Sequence, residues 1–245
     1  MTLTTALTET ERLHFRDQGY LGPMTLMSPS DMAPIRQQLV DNVLYDEKVH
    51  WGEHNRHLDS KLVYDLATQP EILNRMASIL GENLLLWRTN FFVKEEGARE
   101  IPWHQDGNYW PLEPAVVVSA WIAIDDSTID NSCLQIIPGT HKKVLPHIKA
   151  TEDQAFAEQI EPAALDTSQA IDLEMKAGEF ILFNERLCHH SHPFKPGASR
   201  RIALAVRVIP PLVNVLSADS EHHKMMIIRG EDPLGFNAVC DPPTP

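Results

Sequence analysis

"NLLLWRTNFFV", residues 83–93, follows Gly81 and changes the texture of the chain. Upstream of it the apolar residues recur at helical spacings. Thr8 and Glu11 have the spacing of a capping box, with Gly19 as the stop of a short first helix. Met32, Ile35, Leu39, Val40 and Val43 form one stripe of a second helix that begins near Ser30. Pro70 opens a third, with Ile72, Leu73, Met76, Ile79 and Leu80 on its core face and Gly81 at its end. From residue 83 the apolar residues come instead in short runs punctuated by Gly and Pro: "AVVVSAWIAID" (115–125), "CLQIIPG" (133–139), "EFILFN" (179–184) and "RIALAVRVIPP" (201–211). Strands without regular helical crossovers predict an antiparallel sandwich or barrel rather than a doubly wound sheet. The acidic, Ala-rich stretch 150–170 reads as a lid or an excursion between strands.

The 245 residues fall within the size of one large domain, and 43% hydrophobic content is ample for a core. A formal net charge of −13 repels phosphate backbones and anionic lipid, so neither nucleic acid nor membrane is an expected partner. The start "MTLTTALTETERLHF" lacks the basic and apolar regions of a signal peptide, and no run approaches the length of a membrane span, which predicts a cytoplasmic protein. Cys133, Cys188 and Cys240 are odd in number and have no C-x-x-C pairing, so they read as reduced thiols.

Chemistry enters at "WHQDGNYW", residues 103–110. Side chains of a strand alternate, so His104 and Asp106 at i and i+2 share a face and can grip one ion, while Gln105 points away. A third ligand is available in "LCHHSHPFKPGASRR", where His189, His190 and His192 precede a turn and two arginines. Two His and one carboxylate on one face of an iron leave positions free for a bidentate cosubstrate and O2. An organic acid chelating that iron leaves a distal carboxylate for a charged fork, a task that suits Arg. A hairpin centred between Phe194 and Lys195 would set His189 opposite Arg200, with Ser191 on the same face and Arg201 and His190 on the other. His190 or His192 as the ligand, and Arg200 and Arg201 both as surface charges, are the competing readings. Trp103, Tyr109 and Trp110 read as core or rim packing.

His104 and Asp106, "CLQIIPGTHK" (133–142), "GEFILF" (178–183) and a histidine followed eleven residues later by Arg200 resemble the phytanoyl-CoA dioxygenase family of Fe(II)/2-oxoglutarate oxygenases. The likeness runs from the N-terminal helix to "MIIRGEDPLGF" and lies in the neighbourhood of alkylphosphonate hydroxylases and non-haem halogenases. It implies a mainly β fold, a double-stranded β-helix or jelly-roll with flanking N-terminal α-helices. One domain, 1–245, would comprise a helical part of about 1–82, a jelly-roll core of about 83–211 and a tail of about 212–245.

By position, the resemblance makes His104, Asp106 and His189 iron ligands and Arg200 the 2-oxoglutarate anchor. Ser191, Gln105, Trp121 and Asn90 match cofactor-pocket positions, Gln105 only if a kink turns it inward. Arg56 and His57 in "NRHLDSK" are candidate substrate contacts, against the alternative of a solvated loop. Lys94, at the end of an apolar strand, is another, against the alternative of snorkelling to the surface. At "IDNSCLQ" the chain has Asn131-Ser132 where the family often has Asn-Gly. The activity implied is hydroxylation of a C–H bond in a small polar metabolite, with Fe(II), 2-oxoglutarate and O2, releasing succinate and CO2. Halogenation is disfavoured because Asp106 occupies the position a halide would need. The rival classes are a zinc hydrolase on the same ligands, which has no use for the Arg, and a non-catalytic protein that binds an organic acid.

Overall fold

A computed structural model describes residues 6–45, 53–216 and 224–244. In chain order the elements are α1 (Glu9–Gln18), β1 (Tyr20–Thr25), α2 (Pro29–Leu39), α3 (Lys61–Ala67), α4 (Pro70–Leu80), β2 (Leu84–Lys94), β3 (Ile101–His104), β4 (Leu112–Glu113) and β5 (Val118–Ala123). There follow β6 (Leu134–Ile136), β7 (His147–Lys149), β8 (Glu158–Ile160), β9 (Ile171–Leu173), β10 (Glu179–Asn184), β11 (His189–Ser191), β12 (Arg201–Ile209), β13 (Asn214–Val215) and β14 (Met226–Arg229). The helix signals read from the sequence operate physically. Thr8 and Glu11 close a reciprocal capping box, Gly19 ends α1 in the left-handed conformation, and Pro70 opens α4. Among the described residues no helix is long and apolar enough to cross a membrane.

Six strands form a large sheet in the order β1-β10-β5-β12-β2-β14, and four form a small one, β3-β11-β6-β9; every pairing within them is antiparallel. This is the expected jelly-roll, with one adjustment to its limits. β1 lies within the N-terminal third, which the spacings read as helical, and β14 lies within the tail, yet both are strands of the large sheet. β1 pairs with β10 and β14 with β2, so these outlying segments cover sheet edges that would otherwise be unpaired.

The large sheet is buried on both faces, which is why β12 is buried along its whole length. Ile202, Leu204, Val206 and Val208 pack outward with Met32 and Leu39 of α2 and Ile72 and Met76 of α4. Ala203 and Ala205 face inward, into the space between the sheets, with Trp121, Ile181, Phe183, Leu134 and Ile136. β2 carries a bulge. Arg207 is paired with Arg88 but Val208 with Leu86, so Trp87 is the extra residue. Before it, Leu84 and Leu86 belong to the helix-side core; beyond it, Phe91 and Val93 take that side and Phe92 turns inward.

Candidate metal centre and adjoining cavities

His104 ends β3, Asp106 begins the 3-10 turn Asp106–Asn108, and His189 begins β11 directly opposite His104. All three are buried, and one donor atom from each lies within 4.8 Å of the others. His104 Nε2 is 3.6 Å and His189 Nε2 is 4.0 Å from Asp106 Oδ1. Each imidazole has its Nδ1 on a backbone carbonyl two residues back, Pro102 O at 2.8 Å and Leu187 O at 2.9 Å. Only a protonated Nδ1 can donate to those oxygens, which leaves the lone pair on each Nε2, aimed at the aspartate. Burial acts to raise the Asp106 carboxyl, but Arg207, with the imidazoles of His104 and His189 beside it, outweighs burial and holds the group well below the usual carboxylate range. Burial, with His104 alongside, lowers His189 to about 4, so the ring is neutral at physiological pH. Two imidazole nitrogens and one carboxylate oxygen are a donor set for a divalent transition metal. Asp106 Oδ2 has no hydrogen-bond partner, as expected of a carboxylate whose partner is an ion.

The neighbouring histidines face elsewhere. His190 stacks on Trp103 with ring centroids 4.9 Å apart and sets Nε2 3.2 Å from Glu100, while His192 meets Asp172. The two arginines are where the structure departs from the sequence expectation. β11 pairs with β3 and β6 in the small sheet, and β12 pairs with β2 and β5 in the large one, so the hairpin that would oppose His189 and Arg200 does not form. Arg200 precedes β12 and donates to the Tyr45 hydroxyl near the surface. Arg201, the first residue of β12, is fully buried and lines a small cavity with His189, Ser191 and Trp121. Its guanidinium lies over the Trp121 ring at 5.1 Å and donates to Phe92 O and Ser132 O. Arg201 Nε and Ser191 Oγ are both buried without partners. Burial lowers Arg201 to about 10, so it remains a cation, held by carbonyls and an aromatic face.

Other expected residues divide. Trp121 and Ser191 line the small cavity. Asn90 and Lys94 line a larger one of about 620 Å³ that also reaches Asp106, although Lys94 Nζ is engaged by the carbonyls of Arg99 and His192. Gln105 keeps to strand alternation and faces away from the ligands. Its amide donates to Lys143 O and Arg186 O and accepts from Leu145 N, so it ties loops together behind the centre. Arg56 and His57 are buried, and neither borders the cavities. Arg56 pairs with Asp59 and donates to Val43 O, and His57 Nδ1 meets Thr89 Oγ1 at 2.9 Å. From that loop it is Glu53 and His54 that line the larger cavity. Three residues there were not singled out as site residues from the sequence. Phe156, in the 150–170 stretch, sits edge-on to His104 at 4.9 Å and borders both cavities; Arg88 and Arg207 form a cross-strand pair.

Comparison with known proteins agrees with this centre. Residues 15–202 match the family model described as phytanoyl-CoA dioxygenase (PhyH). Over 218 residues the chain is 24% identical to a probable alpha-ketoglutarate-dependent hypophosphite dioxygenase of Stutzerimonas stutzeri, covering 79% of this chain and 76% of that protein. Over 185 residues it is 26% identical to a phytanoyl-CoA dioxygenase domain-containing protein 1 homolog of Dictyostelium discoideum, covering 74% and 61%. Most of the curated relatives are longer, and the chain spans 40% to 61% of their length. Among solved structures, CytC3 with Fe(II) and alpha-ketoglutarate superposes with a TM-score of 0.74 at 26% identity, over 97% of this chain and 95% of that one.

Proposed function

The chain belongs to the phytanoyl-CoA dioxygenase family, and from that premise we propose that it is an Fe(II)- and 2-oxoglutarate-dependent oxygenase that hydroxylates a C–H bond of a small polar metabolite. His104, Asp106 and His189 hold the iron, and Arg201 with Ser191 holds the distal carboxylate of 2-oxoglutarate. The observation that carries the reading is the pair of partnerless buried polar atoms, Arg201 Nε and Ser191 Oγ, in the small cavity that also contains the His189 edge of the metal cluster. A metal hydrolase needs no enclosed cation there. An organic diacid needs both ends of such a cavity, one facing the metal and one facing the Arg.

The iron and its cosubstrate supply an O2-driven oxidation in which one oxygen atom ends in the new hydroxyl and the other in succinate, as 2-oxoglutarate loses CO2. The protein's own work is positioning. Hydrogen bonds from both Nδ1 atoms fix the imidazoles before any metal arrives, and Asp106 brings the one anionic ligand while filling the coordination position a halide would take. Trp121 holds the Arg201 guanidinium plane, and Ala203 and Ala205 leave room beside it. Phe156 and Phe183 border the small cavity and limit water near the ligands.

The test is anaerobic titration of the Fe(II)-loaded protein with 2-oxoglutarate, followed by a screen for succinate release coupled to O2 uptake across pools of small metabolites. A visible charge-transfer band on adding 2-oxoglutarate is expected in the wild type and not in Arg201→Leu at the same concentration. Metal-dependent turnover of a pool compound without succinate formation would sink the reading.

A further inference from the structure

The cross-strand neighbours Arg88 and Arg207 both line the 620 Å³ cavity, immediately beside the metal cluster. We propose that the substrate is a small organic acid whose oxyanion is gripped by Arg207 and Arg88, so that the C–H bond presented for oxidation lies one or two carbons from the acid group. The proposal rests on the oxygenase reading above and adds the chemistry of the molecule oxidised.

Arg207 is buried, and its Nε has no partner. Among the described residues the carboxylate nearest its guanidinium is Asp106, with Arg207 Nη2 3.6 Å from Oδ2. Once Asp106 serves a divalent cation, its charge is spent on the metal. Arg207 is then a desolvated cation with a second cation opposite it, an arrangement that costs free energy until an anion enters. Burial and the proximity of Arg207 lower Arg88 to about 10, which leaves it charged at neutral pH. Both guanidiniums are also held in place: Arg88 over Trp87 at 4.8 Å and Arg207 over Trp110 at 4.9 Å, with the two indoles edge to face at 5.1 Å. Aromatic platforms under paired arginines preset the planes that carboxylates and phosphonates accept as forks.

The rest of the lining suits a carbon skeleton, with Phe92, Ile101 and Phe156 on the walls and a single carboxylate besides Asp106, Glu53. The 3.6 Å contact sets the scale. An acid group bound to Arg207 lies next to a metal ligand, so the carbons nearest that group are the ones within reach of the metal.

The competing assignment gives Arg207 to the metal-binding end of 2-oxoglutarate, and the experiment separates the two. The full chain, loaded with Fe(II) and 2-oxoglutarate under argon, is titrated calorimetrically with straight-chain carboxylates and phosphonates of about two to six carbons and with the matching neutral amides. At least one anion series should bind and the amides should not; carboxylates against phosphonates then tell which oxyanion the fork prefers. Arg207→Gln and Arg88→Gln should each weaken that binding roughly 30-fold or more, with 2-oxoglutarate affinity within about threefold of wild type. Arg207→Lys and Arg88→Lys, which keep the charge, should recover part of the loss, separating charge from folding. Amides that bind as well as acids, or acids that fail on a wild-type protein that binds 2-oxoglutarate, would overturn this inference alone. Collapse of 2-oxoglutarate affinity in Arg207→Gln, with acid binding intact in Arg88→Gln, would also overturn it and give Arg207 to the cosubstrate. A wild-type protein that binds Fe(II) but no 2-oxoglutarate would overturn both this proposal and the reading beneath it.

Discussion

The two faces of β12 are made by the same nine residues and have opposite characters. Outward, Ile202, Leu204, Val206 and Val208 meet the helices, each contributing about 1.5–3 kcal/mol by burial. Inward, the row runs Arg201, Ala203, Ala205, Arg207 before Ile209 closes it: two cations with two small residues between them. The inward row forgoes most of that burial and adds desolvated charge. Partnerless buried atoms gather around it, among them Arg201 Nε, Arg207 Nε, Ser191 Oγ and Asp106 Oδ2. The outer face therefore carries stability, and the inner face is held in a costly arrangement by what the outer face contributes.

This contrast can be broken by experiment, beginning where the effect should be largest. His189→Ala should abolish iron binding and turnover while leaving the melting temperature close to wild type, whereas His190→Ala and His192→Ala should retain metal; loss of iron in His190→Ala but not in His189→Ala would overturn the ligand assignment. Arg201→Leu should weaken 2-oxoglutarate binding by about 2–5 kcal/mol, and Arg200→Leu should leave it unchanged. Equal effects of the two in calorimetry would sink the assignment of Arg201 as the anchor. Leu204→Ala, on the outer face, should lower stability by about 3 kcal/mol in denaturant unfolding, yet leave 2-oxoglutarate affinity intact under native conditions. A large affinity loss there would mean that the faces are not separable.

Two smaller effects sharpen the inner side. Ser132, whose carbonyl accepts from Arg201, has a φ of 71°, and a side chain in that left-handed region costs roughly 1 kcal/mol. Ser132→Gly should raise stability by about that amount, and a drop on chemical unfolding would count against strain at this turn. Lys94 is lowered to about 7 by burial and then by Arg201. Because that lies below its unfolded value, the unfolded chain binds the extra proton between about pH 7 and 10.5. Stability should gain a rising contribution as pH climbs through that window and a constant penalty below it. Melting curves of Lys94→Met should show a flatter pH dependence over the same range than those of the wild type.

Most of the jelly-roll was legible because the four central strands of the large sheet, β10, β5, β12 and β2, each carry their own apolar run, and the metal cluster because His104 and Asp106 fall two apart where β3 runs into a turn. The hairpin was misread for a topological reason. The residues between Ser191 and Arg201 cross from the small sheet to the large one, and local spacing cannot distinguish that crossing from a hairpin. A signal was nonetheless present within "RIALAVRV". Its even positions are uniformly large and apolar, so its odd positions, including Arg201 and Arg207, must share the other face. Arg56 and His57 read as candidate substrate contacts because their partners, Val43 O and Thr89 Oγ1, come from other parts of the chain. Phe156 carried no local mark at all. It reaches His104 only through the fold of the 150–170 excursion.

The bulge at Trp87 gives β2 something like a reading frame. Downstream of it, Arg88, Asn90, Phe92 and Lys94 line the cavities while Phe91 and Val93 face the helices. Because strand side chains alternate with a period of two and Arg88–Lys94 pairs one to one with β12, removing one residue within that run would turn over every residue beyond the cut, whereas removing Trp87, the extra residue, would leave Leu86 and Arg88 on the faces they already occupy. Whatever changes accumulate in the cavity wall along this strand must therefore come as substitutions within one row. An odd-length insertion or deletion within that regular run would send Lys94 into the helix core and phenylalanine into the space reserved for the acid.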